Sequence, residues 1–374
     1  MFRRANMRPD DFKLERFFAR HEFQAPYLLC CSDCESMSVK DLLNLQPGSV
    51  EEFHDLWLGY TESQGSPALR EEIADLYQNI SSGQVLVHSG AEEAIHNLCA
   101  SLLTPGDHVI VQTPCYQSMV ELPRSCGCQV TAWQLRPAAS GWLADMDEIQ
   151  ALITPQTRLI IVNSPHNPTG HLFTQEEWQR LIELAAQQGI ILFADEVYKY
   201  LEHEQAPLPW ACDLYENAVS LGVMSKSFGL PGLRIGWIAT GNRRIFQNMA
   251  SFKDYTTICN SAPSEFLATL ALRHRTRILE RNRNLVKDNL YLLDRFFARH
   301  QEKFEWLRPQ GGPIAFPAFS NSVSVSHYAE ELASNHGILL LPGSCYDYDD
   351  RHFRIGFGRA SFPEVLQRWE EHLE

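Results

Sequence analysis

Between residues 84 and 240 the chain alternates between two hydrophobic rhythms. Short apolar runs of strand length appear as "QVLVHS" (84–89), "DHVIVQTP" (107–114), "QVTAWQL" (129–135), "TRLIIVNSP" (157–165), "GIILFADEVY" (189–198) and "AVSLGVMS" (218–225). Gly, Pro, Asn and Asp bound these runs, as expected for strand ends. Between them, residues 91–103, 116–125, 145–153 and 174–188 carry apolar side chains at helical intervals. Near-continuous apolar strands alternating with helices predict an α/β protein whose mainly parallel sheet is covered by helices on both faces.

The flanks read differently. "DFKLERFFARH" (11–21) and "SVKDLLNL" (38–45) predict helices, and "SPALREEIADLYQNI" (66–80) predicts another, opened by Ser66 and Pro67. A long helical region spans about 262–299. The tail, from "GGPIAFPAF" (311–319) through "ILLLPGS" (338–344) and "HFRIGFG" (352–358) to "FPEVLQRWEEHL" (362–373), predicts a small α+β domain. The expected division is an N-terminal segment, 1–45, joining the small domain; a large domain, 46–290; and the C-terminal small domain, 291–374. "RFFARH" occurs at 16–21 and 295–300, but its flanks do not repeat, so it marks two similar helix faces and not a duplication.

Composition narrows the partners. The 374 residues hold 32 Lys plus Arg against 46 Asp plus Glu, a formal charge of −14. That balance disfavours nucleic acid or an anionic membrane as the main partner. No apolar stretch approaches the ~20 residues of a membrane span, and "MFRRANMRPDDFKLERFF" lacks the apolar core of a secretion signal. A cytoplasmic protein is expected, and its ten cysteines read as thiols. Cys31 and Cys34 make a CxxC and Cys126 and Cys128 a CxC, yet nothing completes a four-ligand set, so no metal is expected.

Four stretches carry candidate chemistry. In "VHSGAEEAI" (87–95) a strand ends, Ser89-Gly90 turns the chain, and a helix starts near Ala91. Free N–H groups and the positive end of the helix dipole would then meet an anion, which Gly90 lets approach. "NSPHNPTG" (163–170) forces a turn after a strand, at the edge where open parallel sheets bind ligands. Its Asn167 amide is held by the following proline. Asp195 follows a five-residue apolar run, so a buried carboxylate there needs a positive partner, and Tyr198 lies three residues on. In "GVMSKSFGLPGLRIGW" (222–237), Ser225 and Lys226 sit between a strand end and a Gly-punctuated loop, with Arg234 eight residues past the lysine.

These groups suit one ligand. A lysine for a Schiff base, an acid for a pyridinium nitrogen, donors for a phenolic oxygen and a phosphate cradle together describe a pyridoxal 5′-phosphate site. The order of "YTESQG", "SGAEEA", "NSPHNPTG", "DEVY", "SKSFGLPGLRIGW" and "FRIGFG" resembles the class I/II, fold-type I, pyridoxal-phosphate-dependent aminotransferases over essentially the whole chain. That resemblance implies a seven-stranded-type sheet in the large domain. It implies Lys226 as the Schiff-base lysine, Asp195 facing the ring nitrogen, and Asn167 and Tyr198 on the ring oxygen. Gly90, Ala91, Glu92, Ser225 and Arg234 would border the phosphate, and Tyr116 in "TPCYQS" would stack on the ring. Tyr60 would reach the phosphate of a neighbouring subunit, which implies a homodimer. Arg354 would pair with the substrate α-carboxylate, with Asn167 beside it. An α-amino acid and a 2-oxo acid would be the substrates.

One position departs from the pattern. Many relatives carry a hydroxyl residue three positions before the lysine, where this chain has Val223. "GLPGLRIGW", "KDYTTICNSAPSE" (253–265) and "GGPIAFPAF" resemble a branch that contains capreomycidine synthases, which cyclise a hydroxylated arginine with the same cofactor. Transamination and another outcome, such as cyclisation, elimination or oxidation, share these motifs. The substrate pocket is expected to draw on "SDCES" (32–36), Tyr116 and "GGPIAF", with Glu35 or Asp33 either meeting a basic side chain or capping a turn.

Overall fold

A computed structural model describes residues 8–139 and 141–373. The six apolar runs, joined by Gly236–Thr240, form one seven-stranded sheet. Its strands, numbered along the chain, are β1 (Val85–His88), β2 (His108–Thr113), β3 (Gln129–Gln134), β4 (Thr157–Asn163), β5 (Ile191–Asp195), β6 (Ala218–Val223) and β7 (Gly236–Thr240). Their spatial order is β1-β7-β6-β5-β4-β2-β3. All neighbours pair in parallel except β7, which is antiparallel to β1 and β6. The expected mainly parallel sheet with helices is present.

Strand alternation divides the core. Leu86 on β1 and Ile238 on β7 pack into one apolar cluster, and Val85, Val87, Trp237 and Ala239 into a second on the opposite face. This follows from the two-residue period of a strand. β2, β4 and β5 are buried over most or all of their lengths. The first cluster runs on into the C-terminal part through Phe296, Phe353 and Trp369.

Helix ends differ from the expectation in three places. The helix expected over 66–80 ends at Ala74, and Ser66 makes no side-chain cap although Pro67 does open it. The 262–299 region is two helices, Ala262–Arg273 and Arg275–Arg299, divided at His274. The helix expected from 116 starts at Ser118. In each case side-chain periodicity outruns the backbone bonding, which neighbouring packing decides.

The N-terminal stretch lies against the C-terminal strands. After α1 (Lys13–His21), Tyr27–Leu28 pairs in parallel with Ile338–Leu339. The Cys31 carbonyl then lies so close to Gly356 that any side chain there would collide with it. The helix Arg275–Arg299 runs through residue 290, so the division expected there falls inside one element. No described helix is long and apolar enough to cross a membrane.

Candidate active site

The carboxyl ends of β4, β5 and β6 converge on a cavity of about 430 Å³. Parallel strands end with free carbonyls and loops on one edge, so such an edge collects functional side chains. Asn163, the last residue of β4, ties that edge together. Its Nδ2 donates to the Asp195 carbonyl at 2.8 Å, and its Oδ1 accepts from the Asn167 N–H at 2.6 Å. Asn163 thus fixes both the end of β5 and the turn that carries Asn167.

Lys226 lies at the floor of the cavity, just past β6. Its Nζ donates to Ser32 Oγ at 2.8 Å and is 5.9 Å from the centre of the Tyr198 ring. Burial holds its ammonium below the usual lysine range; Asp33 and Asp195 oppose that and Arg354 adds to it. An amine eased toward its neutral form is the form needed for nucleophilic or base chemistry.

Asp195 ends β5 and is 7% exposed. Burial pushes its carboxyl up to about 7, against the pull of the Val197 N–H and Lys226. The Val197 N–H donates to Oδ1 at 3.2 Å. Such a carboxylate is primed to ionise once a cation is placed against it. Tyr198 is 1% exposed, lines the same cavity, and its hydroxyl has no hydrogen-bond partner among the described residues. An orphaned buried hydroxyl costs roughly 1–3 kcal/mol, so this one fits a ligand that accepts from it.

Gly90 closes the strand-to-helix turn with φ +88°, before α2 (Ala91–Leu102). A β-carbon at Gly90 would lie 2.5 Å from Arg234 Nη2, so only glycine lets that guanidinium approach the turn. No side chain caps α2, which leaves its first N–H groups for an anion. Arg234 holds a left-handed backbone, φ 52°, and Nη1 donates to the Pro231 carbonyl at 3.1 Å. Ser225 is buried beside the same cavity, as is Val223, whose side chain offers no hydrogen bond. Ala91 and Glu92 also line the cavity, and burial pushes the Glu92 carboxyl up to about 7.

Tyr116 borders the opposite side, its hydroxyl donating to Glu15 Oε1 on α1 at 2.8 Å. Arg354, 2% exposed, anchors the far end. Its Nε and Nη2 donate to the Cys30 carbonyl at 3.0 and 2.8 Å, and Nη1 to Tyr346 Oη at 2.6 Å. Tyr346 in turn donates to Asn167 Oδ1 at 2.9 Å.

The cavity therefore gathers Lys226, Asp195, Tyr198, Asn167, Tyr116, Ala91, Glu92, Ser225, Arg234 and Arg354, with Gly90 in the adjoining turn. Tyr60 is not among them: it is 94% exposed, in a shallow depression beside Cys259 and Pro263. Asp33 binds Arg359 through both carboxylate oxygens, and Glu35 accepts the Ala360 N–H at 2.8 Å, so neither is a free acid for a substrate. The sequence reading missed Asn163 as the clamp, Tyr346, and the acids Glu15 on α1 and Glu22 just past its end, which line the cavity. The "NSP" turn held a signal for Asn163; nothing local marked Tyr346, which meets the lining residues Asn167 and Arg354 only through tertiary folding. Among the described residues no cluster of His, Cys, Asp or Glu is arranged to hold a metal, and the cysteines are unpaired.

The orphaned Tyr198 hydroxyl, the buried Asp195, the eased Lys226 amine and the glycine-opened helix start fit pyridoxal phosphate group by group. Residues 41–368 match the family model "Aminotransferase class I and II". Capreomycidine synthase of Streptomyces vinaceus is 30% identical over 92% of this chain and 88% of its own. A PLP-dependent aminotransferase from Streptococcus suis superposes with a TM-score of 0.92 at 30% identity, covering 98% of both chains. The PLP-dependent cyclase OrfR superposes at 0.90, also 30% identical, over 98% of this chain and 97% of its own. The chain belongs to the class I and II aminotransferase family and is a pyridoxal-phosphate-dependent enzyme of fold type I.

Proposed function

We propose that the protein is a transaminase that moves an amino group from an α-amino acid to a 2-oxo acid. The observation that carries this reading is one cavity lined by Lys226, Asp195 and Arg354: an amine, a ring-facing acid and a carboxylate anchor. When bound, pyridoxal phosphate supplies an aldehyde that condenses with amines and a ring that takes up electron density. Lys226 Nζ is the amine that holds the cofactor. With its Nζ free, Lys226 would serve as the base for the proton on the substrate α-carbon, a role its desolvation favours. Asp195, once ionised, would hold a proton at the ring nitrogen. The Asn167 amide and Tyr198 hydroxyl would donate to the ring oxygen, and Tyr116 would cover the ring. The start of α2 at Gly90, Ala91 and Glu92, with Ser225 and Arg234, would hold the phosphate. Arg354 takes the α-carboxylate through parallel N–H bonds.

Tyr60 of the partner subunit completes the phosphate site in this reading, which makes the enzyme a homodimer. Trp57, Leu58, Tyr60, Tyr255 and Ile258 are all strongly exposed, an apolar patch suited to burial against a second copy. We also propose the division into 1–45, 46–290 and 291–374, with the helix Arg275–Arg299 running across the second boundary; the pairing of Tyr27–Leu28 with a C-terminal strand supports placing the N-terminal segment with the small domain.

A second reading keeps the cofactor and the first proton transfer but ends in cyclisation or elimination on a basic amino acid such as an arginine derivative. Glu15 on α1 and Glu22 just past its end, both lining the cavity, favour it, as does the likeness to a synthase and a cyclase. Mixing the cofactor-loaded enzyme with single amino acids separates the two. Transamination gives one equivalent of 2-oxo acid and an aminated cofactor whose visible band is lost. Release of ammonia, or a cyclic product with the band retained, supports the second reading and contradicts the first.

A further inference from the structure

We propose that Tyr346 is a positioning residue that locks the Asn167 amide and the Arg354 guanidinium into one arrangement, coupling the carboxylate anchor to the group that faces the cofactor ring. The proposal rests on the reading above that Asn167 meets the ring oxygen.

A phenol has a single proton to donate. Arg354 cannot accept, so its Nη1, 2.6 Å from Tyr346 Oη, must be the donor there. The Tyr346 proton is therefore directed to Asn167 Oδ1 at 2.9 Å. Arg354 Nη1 also lies 3.4 Å from the same Oδ1. A flipped amide would turn its NH₂ toward a guanidinium, donor against donor. Tyr346 and Arg354 together thus fix the oxygen of Asn167 toward themselves, which leaves Nδ2 as the group for the cavity. The Asn167 backbone is held from the other side by Asn163 Oδ1.

The same hydroxyl orients the arginine. Nε and Nη2 are used by the Cys30 carbonyl, and Nη1 by Tyr346 with a longer, 3.4 Å approach to Asn167 Oδ1. A carboxylate would take the remaining Nη2 hydrogen and draw the second Nη1 hydrogen from its long contact with Asn167. All three side chains are buried, so water cannot readily replace the missing partner. The ring of Tyr346 packs edge-on to Phe316, 5.8 Å between centres, and Tyr346→Phe keeps that packing while removing only the hydroxyl.

Tyr346→Phe is tested in the cofactor-loaded protein by two readouts other than turnover. The first is the pH midpoint of the cofactor's visible absorbance. Without an ordered donor on the ring oxygen, the proton beside that oxygen is lost at higher pH, so the midpoint rises by about 0.5–1 unit. The groups around the cluster, Tyr198, Cys30, Cys345, Lys226, Asp195 and Asp33, are untouched. The second is the affinity of a non-reacting monocarboxylate, expected to weaken about fivefold. Asn167→Ala should raise the midpoint as well, and the double variant no further than Asn167→Ala alone. An unchanged midpoint in Tyr346→Phe, with Asn167→Ala shifted, overturns this proposal alone. A midpoint unchanged in both variants overturns it together with the placement of Asn167 on the ring oxygen.

Discussion

Asp195 and Lys226 are each placed where burial works against their charged form, and each is useful for that reason. In cofactor-free protein the Asp195 carboxyl titrates near 7, well above the unfolded range of about 3.9. A raised carboxyl pKa contributes stability that is present at low pH and lost as pH climbs toward 7. Asp195→Asn should therefore raise the melting temperature of the cofactor-free protein more at pH 8 than at pH 5. Equal shifts at the two pH values would contradict the burial argument. With cofactor bound the same variant should lower turnover roughly 100-fold or more, since the neutral amide cannot hold the ring proton. Steady-state kinetics on matched, fully loaded samples checks this. Part of the chemistry was legible in the sequence: Lys226, Asp195 and Asn167 stand in turns or at strand ends, where a polar group among apolar neighbours is conspicuous, whereas Arg354, inside the strand Phe353–Gly356, was marked only by the family resemblance of "FRIGFG". Tyr346 was not, because its bonds are to side chains far from it in the chain or in another element, and the role of Asn163 was not, because it clamps the backbone of Asn167 and Asp195.

At the scale of elements, the proposed phosphate cradle is a strand, a glycine and an uncapped helix. Gly90→Ala adds a β-carbon against Arg234 and strains a backbone at φ +88°. Cofactor affinity should fall by an order of magnitude or more, while the circular dichroism of the fold is kept. Val223 occupies the buried position where a hydroxyl would reach the same cavity. Val223→Thr, nearly equal in volume, should tighten cofactor binding about tenfold, as expected of an added bond to a charged group; equilibrium dialysis of the two proteins measures it. Strands and their order of appearance were readable because each is a short, nearly unbroken apolar run. Their spatial order, and the antiparallel β7, were not, since apolar runs carry no direction. Helix ends were the weakest point: the apolar spacing passes through His274 and beyond Ala74, whereas the backbone bonding does not.

The whole molecule carries a formal charge of −14, and yet the corner proposed to bind the phosphate is built from a helix start and Arg234. Local dipoles and a single guanidinium outweigh distant, screened carboxylates at that range. Tyr60 makes sense only at this scale, since its own cavity does not include it. If it serves a neighbour's site, mixing Tyr60→Ala with Lys226→Ala protein should restore activity that neither has alone, because one site of each hybrid dimer is then intact. No recovery after subunit exchange would contradict a shared site. The account as a whole rests on Lys226 as the covalent holder of the cofactor. Borohydride reduction of the loaded enzyme followed by peptide mass spectrometry tests that most directly: the pyridoxyl phosphate group should be found on Nζ of Lys226, and a modification on another lysine, or on none, would contradict it.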